Sequence, residues 1–254
     1  MKQSHAVTAP ASSGHATPWL SRGLVVVFGV WCAGITFLLV LLQQNGTDPA
    51  ARAIARMAIG LVVVWIIGGG TLSLRLRRPT RRWLQRYAHH WQLVFVLSVT
   101  GMALLEEAIT TTMTNLAPLW GVSTAQAHIT ASGNYLDVVL LHSVIVFVPM
   151  FIAWAWLLTL YDFTPSAVFI LYGITGVLAE SGTFGAQNLA DAGFWVYVYG
   201  LMMFLPAYAI PPHQTKRKPG VGATVLAIVL PIVAAIPMVI LVQVVHHAFF
   251  ANLP

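Results

Sequence analysis

The chain has 254 residues, 58% of them hydrophobic and only 8% charged, with 13 Lys/Arg against 7 Asp/Glu and a net charge of +6. A mean hydropathy of +0.79 and a charge content far below the roughly 25% of soluble domains exclude a water-soluble globular core. The basic balance does not point to nucleic acid, because the cations are gathered in short segments between apolar runs.

Residues 1–22, rich in Ser, Ala, Thr, Pro and His, read as a disordered cytoplasmic tail, and residues 23–254 as one transmembrane domain. Apolar runs of about 20 residues are long enough to cross ~30 Å of hydrocarbon at ~1.5 Å per residue. They predict an all-α polytopic membrane protein with seven spans, near 24–43, 54–74, 91–113, 136–160, 165–181, 194–210 and 222–246. The first is too long for a signal-peptide core and lacks a small-residue cleavage site, so it is expected to stay as a span. It holds the single cysteine, Cys32, expected to pack as a small apolar residue. In the second, Gly68-Gly69-Gly70 allows close helix approach. The fifth is the shortest and ends in the loop-like stretch Ser181-Gly182-Thr183-Phe184-Gly185, which leaves a full crossing and a re-entrant element both open. Kinks are expected at Pro149, Pro206, Pro231 and Pro237.

Seven spans put the termini on opposite sides. With the amino terminus inside, eleven basic residues fall inside, including six arginines of one short loop, 75–86, and Lys216, Arg217 and Lys218, and only Arg52 and Arg56 fall outside. That bias sets the amino terminus inside and the carboxyl terminus outside. Among the acids, only Asp162 is inside; Asp48, Glu106, Glu107, Asp137, Glu180 and Asp191 lie outside or in the outer half, which points to a site opening outward. A bacterial or archaeal cytoplasmic membrane is the expected setting.

Glu106, Glu107, His142 and Glu180 are the candidate catalytic residues, since ionisable groups at membrane depth usually face a cavity, a partner or a substrate. Counting from Trp91, Glu106 lies about 22 Å into the span, and His142 lies about 9 Å below Leu136, so Glu106, Glu107 and His142 share one layer, with Glu180 nearer the outer rim. Thr110, Thr111 and Thr114 stand on the faces of the glutamates, and Tyr135 on the face of His142, by helical spacing. The glutamates lie toward the carboxyl ends of their helices, where negative charge opposes the helix dipole, so a cation, a metal or a proton is needed to hold them. The bland readings are an interfacial Glu106-Glu107 pair, a packing histidine at 142, a helix-starting Asp137 favoured by the dipole, interfacial His89-His90 and His246-His247, and aromatics such as Trp154, Trp156, Trp195 and Tyr197 acting as belt or packing residues.

No lysine stands in the seventh span for a retinal Schiff base, and HExxH, GxSxG and P-loop motifs are absent. Paired Glu106-Glu107 followed by an intramembrane His142 resembles, over two helices, the paired-glutamate and histidine site of the CAAX-protease and bacteriocin-processing family. Thr111 stands where that family has arginine and Val138 where it has phenylalanine, so no membership is assigned. Three classes of function remain: an acid–base or metal-assisted membrane enzyme acting on a lipidic or peptide substrate, a proton- or cation-coupled transporter, and a non-catalytic subunit. The lipid bilayer is the expected partner, with a second membrane subunit or a further copy of the chain besides. Cofactor and metal are unknown at this level.

Overall fold

The computed structural model describes residues 18–210 and 216–250. Among them the chain is helical: α1 (Pro18–Asn45), α2 (Pro49–Leu61), α3 (Gly70–Leu84), α4 (Trp91–Asn115), α5 (Tyr135–Leu141), α6 (Val144–Leu160), α7 (Pro165–Phe184), α8 (Ala192–Ala209) and α9 (Val221–Phe250). A π-helical stretch, Val62–Gly69, joins α2 to α3, and a 3-10 stretch, Gln85–His90, joins α3 to α4. The starts follow local chemistry. Asp48 accepts a bond from the Ala50 amide at 2.9 Å with Pro49 at the first position of α2, and Thr164 accepts from the Ala167 amide at 3.2 Å with Pro165 at the first position of α7.

Five helical stretches are long and apolar enough to span a membrane, and a sixth is added if α5 and α6 count as one bent span. These are the helices of an integral membrane protein. The stretch Pro49–Trp120 has 72 residues and would run ~108 Å if straight. It folds back instead: Tyr87 leaves helical geometry at φ −108°, and a Cβ on Gly60 of α2 would meet Met113 Sδ of α4 at 2.6 Å.

The contacts between helices trace a closed ring, α1 to α2, α2 to α4, α4 to α6, α6 to α9, α9 to α7 and α7 to α1, with α8 inside it against α1, α3, α4 and α7. Tyr199 of α8 also meets the Phe147 ring of α6 at 5.9 Å. Burial follows this plan: 72% of the α8 span is buried against 6% of α1. What α1 and α9 show outward is apolar, Val26, Val30 and Phe37 on one and Val229, Val233 and Ile240 on the other, the surface a helix presents to lipid. Small residues let α7 and α8 approach closely: a Cβ on Gly173 would stand 2.6 Å from the Val196 carbonyl, one on Gly200 2.8 Å from that of Phe169, and one on Gly176 inside the Tyr199 ring.

Several expectations change. The fifth span is an unbroken helix through Phe184, so 181–184 is not a loop; the turn comes at Gly185, whose φ of +109° is a left-handed value that glycine adopts without strain. The 136–160 span is not one helix. It breaks after Leu141 and resumes at Val144 with a 46° bend. The arginines at 75–82 lie on α3 rather than in a loop, on a helix that continues past the apolar run. Pro149, Pro206, Pro231 and Pro237 all sit inside helices. Cys32 is buried in the core, as expected. The side chains of His246 and His247, and residues 1–17 of the expected 1–22 tail, lie outside the described residues, while 18–22 form the start of α1.

Candidate functional site: a buried carboxyl layer

Both glutamates of α4 are buried, Glu106 at 4% and Glu107 at 7% exposure, together with Thr110, Thr111 and Thr114. Thr110 Oγ1 donates toward Glu107 Oε2 at 3.3 Å and toward the backbone carbonyls of Glu106 and Glu107 at 3.2 Å each. Residues adjacent in a helix point about 100° apart, yet neither glutamate reaches solvent, because α4 is covered on different sides by α2, α6 and α8.

Glu180, near the carboxyl end of α7, belongs to the same layer. Its charge acts on both Glu106 and Glu107, and Tyr199 donates a short hydrogen bond to its Oε1. Tyr199 is placed from several sides. Gly176 makes room for the ring, Phe147, Trp195 and Tyr172 surround it at centroid distances of 5.9, 6.0 and 6.5 Å, and the indole of Trp65, in the π-helical stretch, donates to the carbonyl of neighbouring Val198 at 3.0 Å.

His142 is at the edge of this layer, and not on the face the sequence suggested. It occupies the break between α5 and α6 with φ −135°, ψ −82°, so the helical register from Tyr135 does not reach it. Its Nε2 lies 3.8 Å from Asp137 Oδ2, and both side chains are about one-third exposed. The next residue, Ser143, hydrogen-bonds Glu107. Tyr135 instead donates to the Leu104 carbonyl of α4 at 3.0 Å, which pins the start of α5 to the glutamate helix. Asp137 lies in the first turn of α5, as expected of a dipole-favoured acid.

The layer is built from oxygen. Its ion pairing involves no lysine or arginine among the described residues, and no three His, Cys, Asp or Glu side chains among them converge as a metal-binding group. Thr111 Oγ1, on the face of Glu107, and Ser181 Oγ, next to Glu180, are buried without a hydrogen-bond partner. Deeper in the ring, the Tyr172 hydroxyl is likewise buried and unpartnered, about 12 Å before Glu180 along α7 at ~1.5 Å per residue. Over the layer, the 116–134 segment is tied to α4: the Ile129 amide donates to Thr114 Oγ1 at 3.1 Å, and Asn115 Nδ2 donates to the Gly133 carbonyl at 2.9 Å.

Tyr199 and Ser143 are the polar partners that sequence reasoning did not single out. Tyr199 looks like one more interfacial aromatic, and its only local signal is the flanking Gly200. No known family model matches the chain, and neither curated proteins nor solved structures provide a match.

Proposed function

We propose that this integral membrane protein moves protons through the Glu106–Glu107–Glu180 layer and is a proton-coupled transporter. One observation carries the reading: three carboxyl groups from α4 and α7, Glu106 and Glu107 buried and Glu180 part-buried, share a layer whose other members are hydroxyls, with no lysine or arginine among them. Three neighbouring carboxylates in a low-dielectric layer cannot all be ionised without compensation, so their charge is balanced by protons that the layer takes up and releases. Tyr199 links Glu180 to the inside of the ring, and the unpartnered hydroxyl of Tyr172 extends the polar line along α7 and α8. Glu106, Glu107 and Glu180 are the proton-carrying residues in this reading.

Counting the two legs of 49–115 separately, and α5 with α6 as one bent span, gives seven crossings. The bias of basic residues then puts the amino terminus inside, and the carboxyl layer falls in the outer half.

The test is proton uptake into liposomes holding a pH-sensitive dye, driven by an imposed membrane potential. Glu106→Gln, Glu107→Gln and Glu180→Gln are each expected to reduce uptake by about tenfold or more, the scale on which a positioned proton carrier acts. Uptake equal to the wild type in all three overturns the reading.

A second reading is favoured by the His142–Asp137 pair beside Ser143. A partly exposed imidazole oriented by a carboxylate is an acid–base arrangement, and the break in the helix leaves it open toward a lipidic or peptide substrate. It requires that His142→Ala abolish product formation from membrane lipids or added peptides, followed by mass spectrometry, while leaving proton uptake intact.

A further inference from the structure

At the opposite end of the helices, two cations share one aromatic ring. Arg77 and Arg81 stand one turn apart on α3, and their guanidinium carbons lie 5.7 and 5.9 Å from the ring centre of Tyr208 on α8. Stacking on one ring holds two like charges together, an arrangement that calls for an anion. Arg81 Nε is buried and has no hydrogen-bond partner. Leu84, one turn beyond Arg81, and Ala209, next to Tyr208, line a shallow cleft with Trp91, Phe95 and Pro206. At the start of α4, Lys216 Nζ lies 5.2 Å over the Trp91 ring. Burial pushes the Lys216 amine below its ordinary range, while the Asp162 carboxylate pulls the other way. The segment carrying Lys216 is anchored, because the Arg217 amide donates to the Leu160 carbonyl at 3.0 Å and the Asp162 amide donates to the Arg217 carbonyl at 2.9 Å.

We propose that the Arg77–Arg81 pair stacked on Tyr208 is a binding site for an anionic phospholipid of the adjoining leaflet, its phosphate held by the two guanidinium groups. The depth fits, because α3 passes here from its apolar run into arginines and α4 begins at Trp91, the level of lipid headgroups. Basic pockets between membrane helices select such headgroups, and guanidinium forks match phosphate oxygens. The site stands apart from the carboxyl layer and does not depend on its function.

The experiment is native mass spectrometry of the full chain in detergent with added phosphatidylglycerol or phosphatidylcholine. Wild type is expected to retain phosphatidylglycerol and not phosphatidylcholine. Arg77→Ala/Arg81→Ala is expected to cut retention by about tenfold or more, at roughly fivefold for each cation. Arg75 and Arg82 share the opposite face of α3 by helical spacing, so Arg75→Ala/Arg82→Ala is expected to leave retention close to wild type. Should the first variant fail to fold, Tyr208→Leu, which removes the stacking surface, takes its place with the same expectation. Equal retention of both lipids, equal loss in both arginine pairs, or displacement by excess inorganic phosphate (a site for the free anion and not the lipid) would each overturn the proposal.

Discussion

The hydrogen bond from Tyr199 to Glu180 can be tested as a pair. Tyr199→Phe removes the donor while keeping the ring that packs against Phe147, Trp195 and Tyr172. Glu180→Gln removes the acidic acceptor with little change of volume. Polar pairs inside membrane proteins average about 0.6 kcal/mol in double-mutant cycles, with a maximum near ~1.7, and hydrogen bonds to charged groups reach ~1.5–3 kcal/mol. A short bond between a buried phenol and a carboxyl belongs at the upper end, so a coupling of about 1–2 kcal/mol is expected, a factor of roughly 5–30 in the folded-to-unfolded ratio. The assay is reversible unfolding in mixed micelles of wild type, both single variants and the double variant. Tyr199→Phe alone is expected to destabilise, because Glu180 is left with one bond fewer. If the two effects add to within ~0.5 kcal/mol, the level expected of independent sites, the two side chains do not meet and the carboxyl layer loses its link to α8.

Other outcomes follow from the same packing. Gly176→Ala is expected to destabilise by about 1–3 kcal/mol through overpacking against the Tyr199 ring. Gly101→Ala, where a Cβ meets nothing within 4 Å, is expected to be neutral or to stabilise by up to ~1 kcal/mol; thermal unfolding of the two side by side checks both. Trp65→Phe is expected to cost about 1–3 kcal/mol by leaving the Val198 carbonyl without its indole donor and to lower proton uptake by shifting Tyr199, read in the dye-loaded liposomes. Thr114→Val removes the acceptor of the Ile129 amide, so faster hydrogen exchange over 116–134 is expected, with the helices of the ring unchanged.

The sequence made some features readable and hid others for reasons that differ residue by residue. Glu106 and Glu107 stood out because a carboxyl in an apolar run is rare, and the structure buries both. The break at His142 carried no local signal. Leu141-His142-Ser143 contains no proline or glycine, and the nearest proline, Pro149, stands further on in α6. The arginines of α3 suggested a loop because polarity marks the end of a span, but polarity does not end a helix, and Arg is a good helix former. The loop-like reading of 181–184 failed for the related reason that glycine and serine are tolerated in a helix whose neighbours pack it.

Membrane partition is a property summed over some twenty consecutive residues, so the sequence by itself determined that this is a helical membrane protein and which segments are apolar. It also determined where the cations gather. Only the tertiary structure decided that α8 lies inside the ring, that Glu180 joins Glu106 and Glu107, and that His142 sits with Asp137 at a bend. Those outcomes depend on which helix faces meet. Within the bilayer, hydrophobicity does not choose among faces that are all apolar. Close packing at Gly173, Gly176 and Gly200 makes that choice, and no single stretch of the chain contains both sides of those contacts.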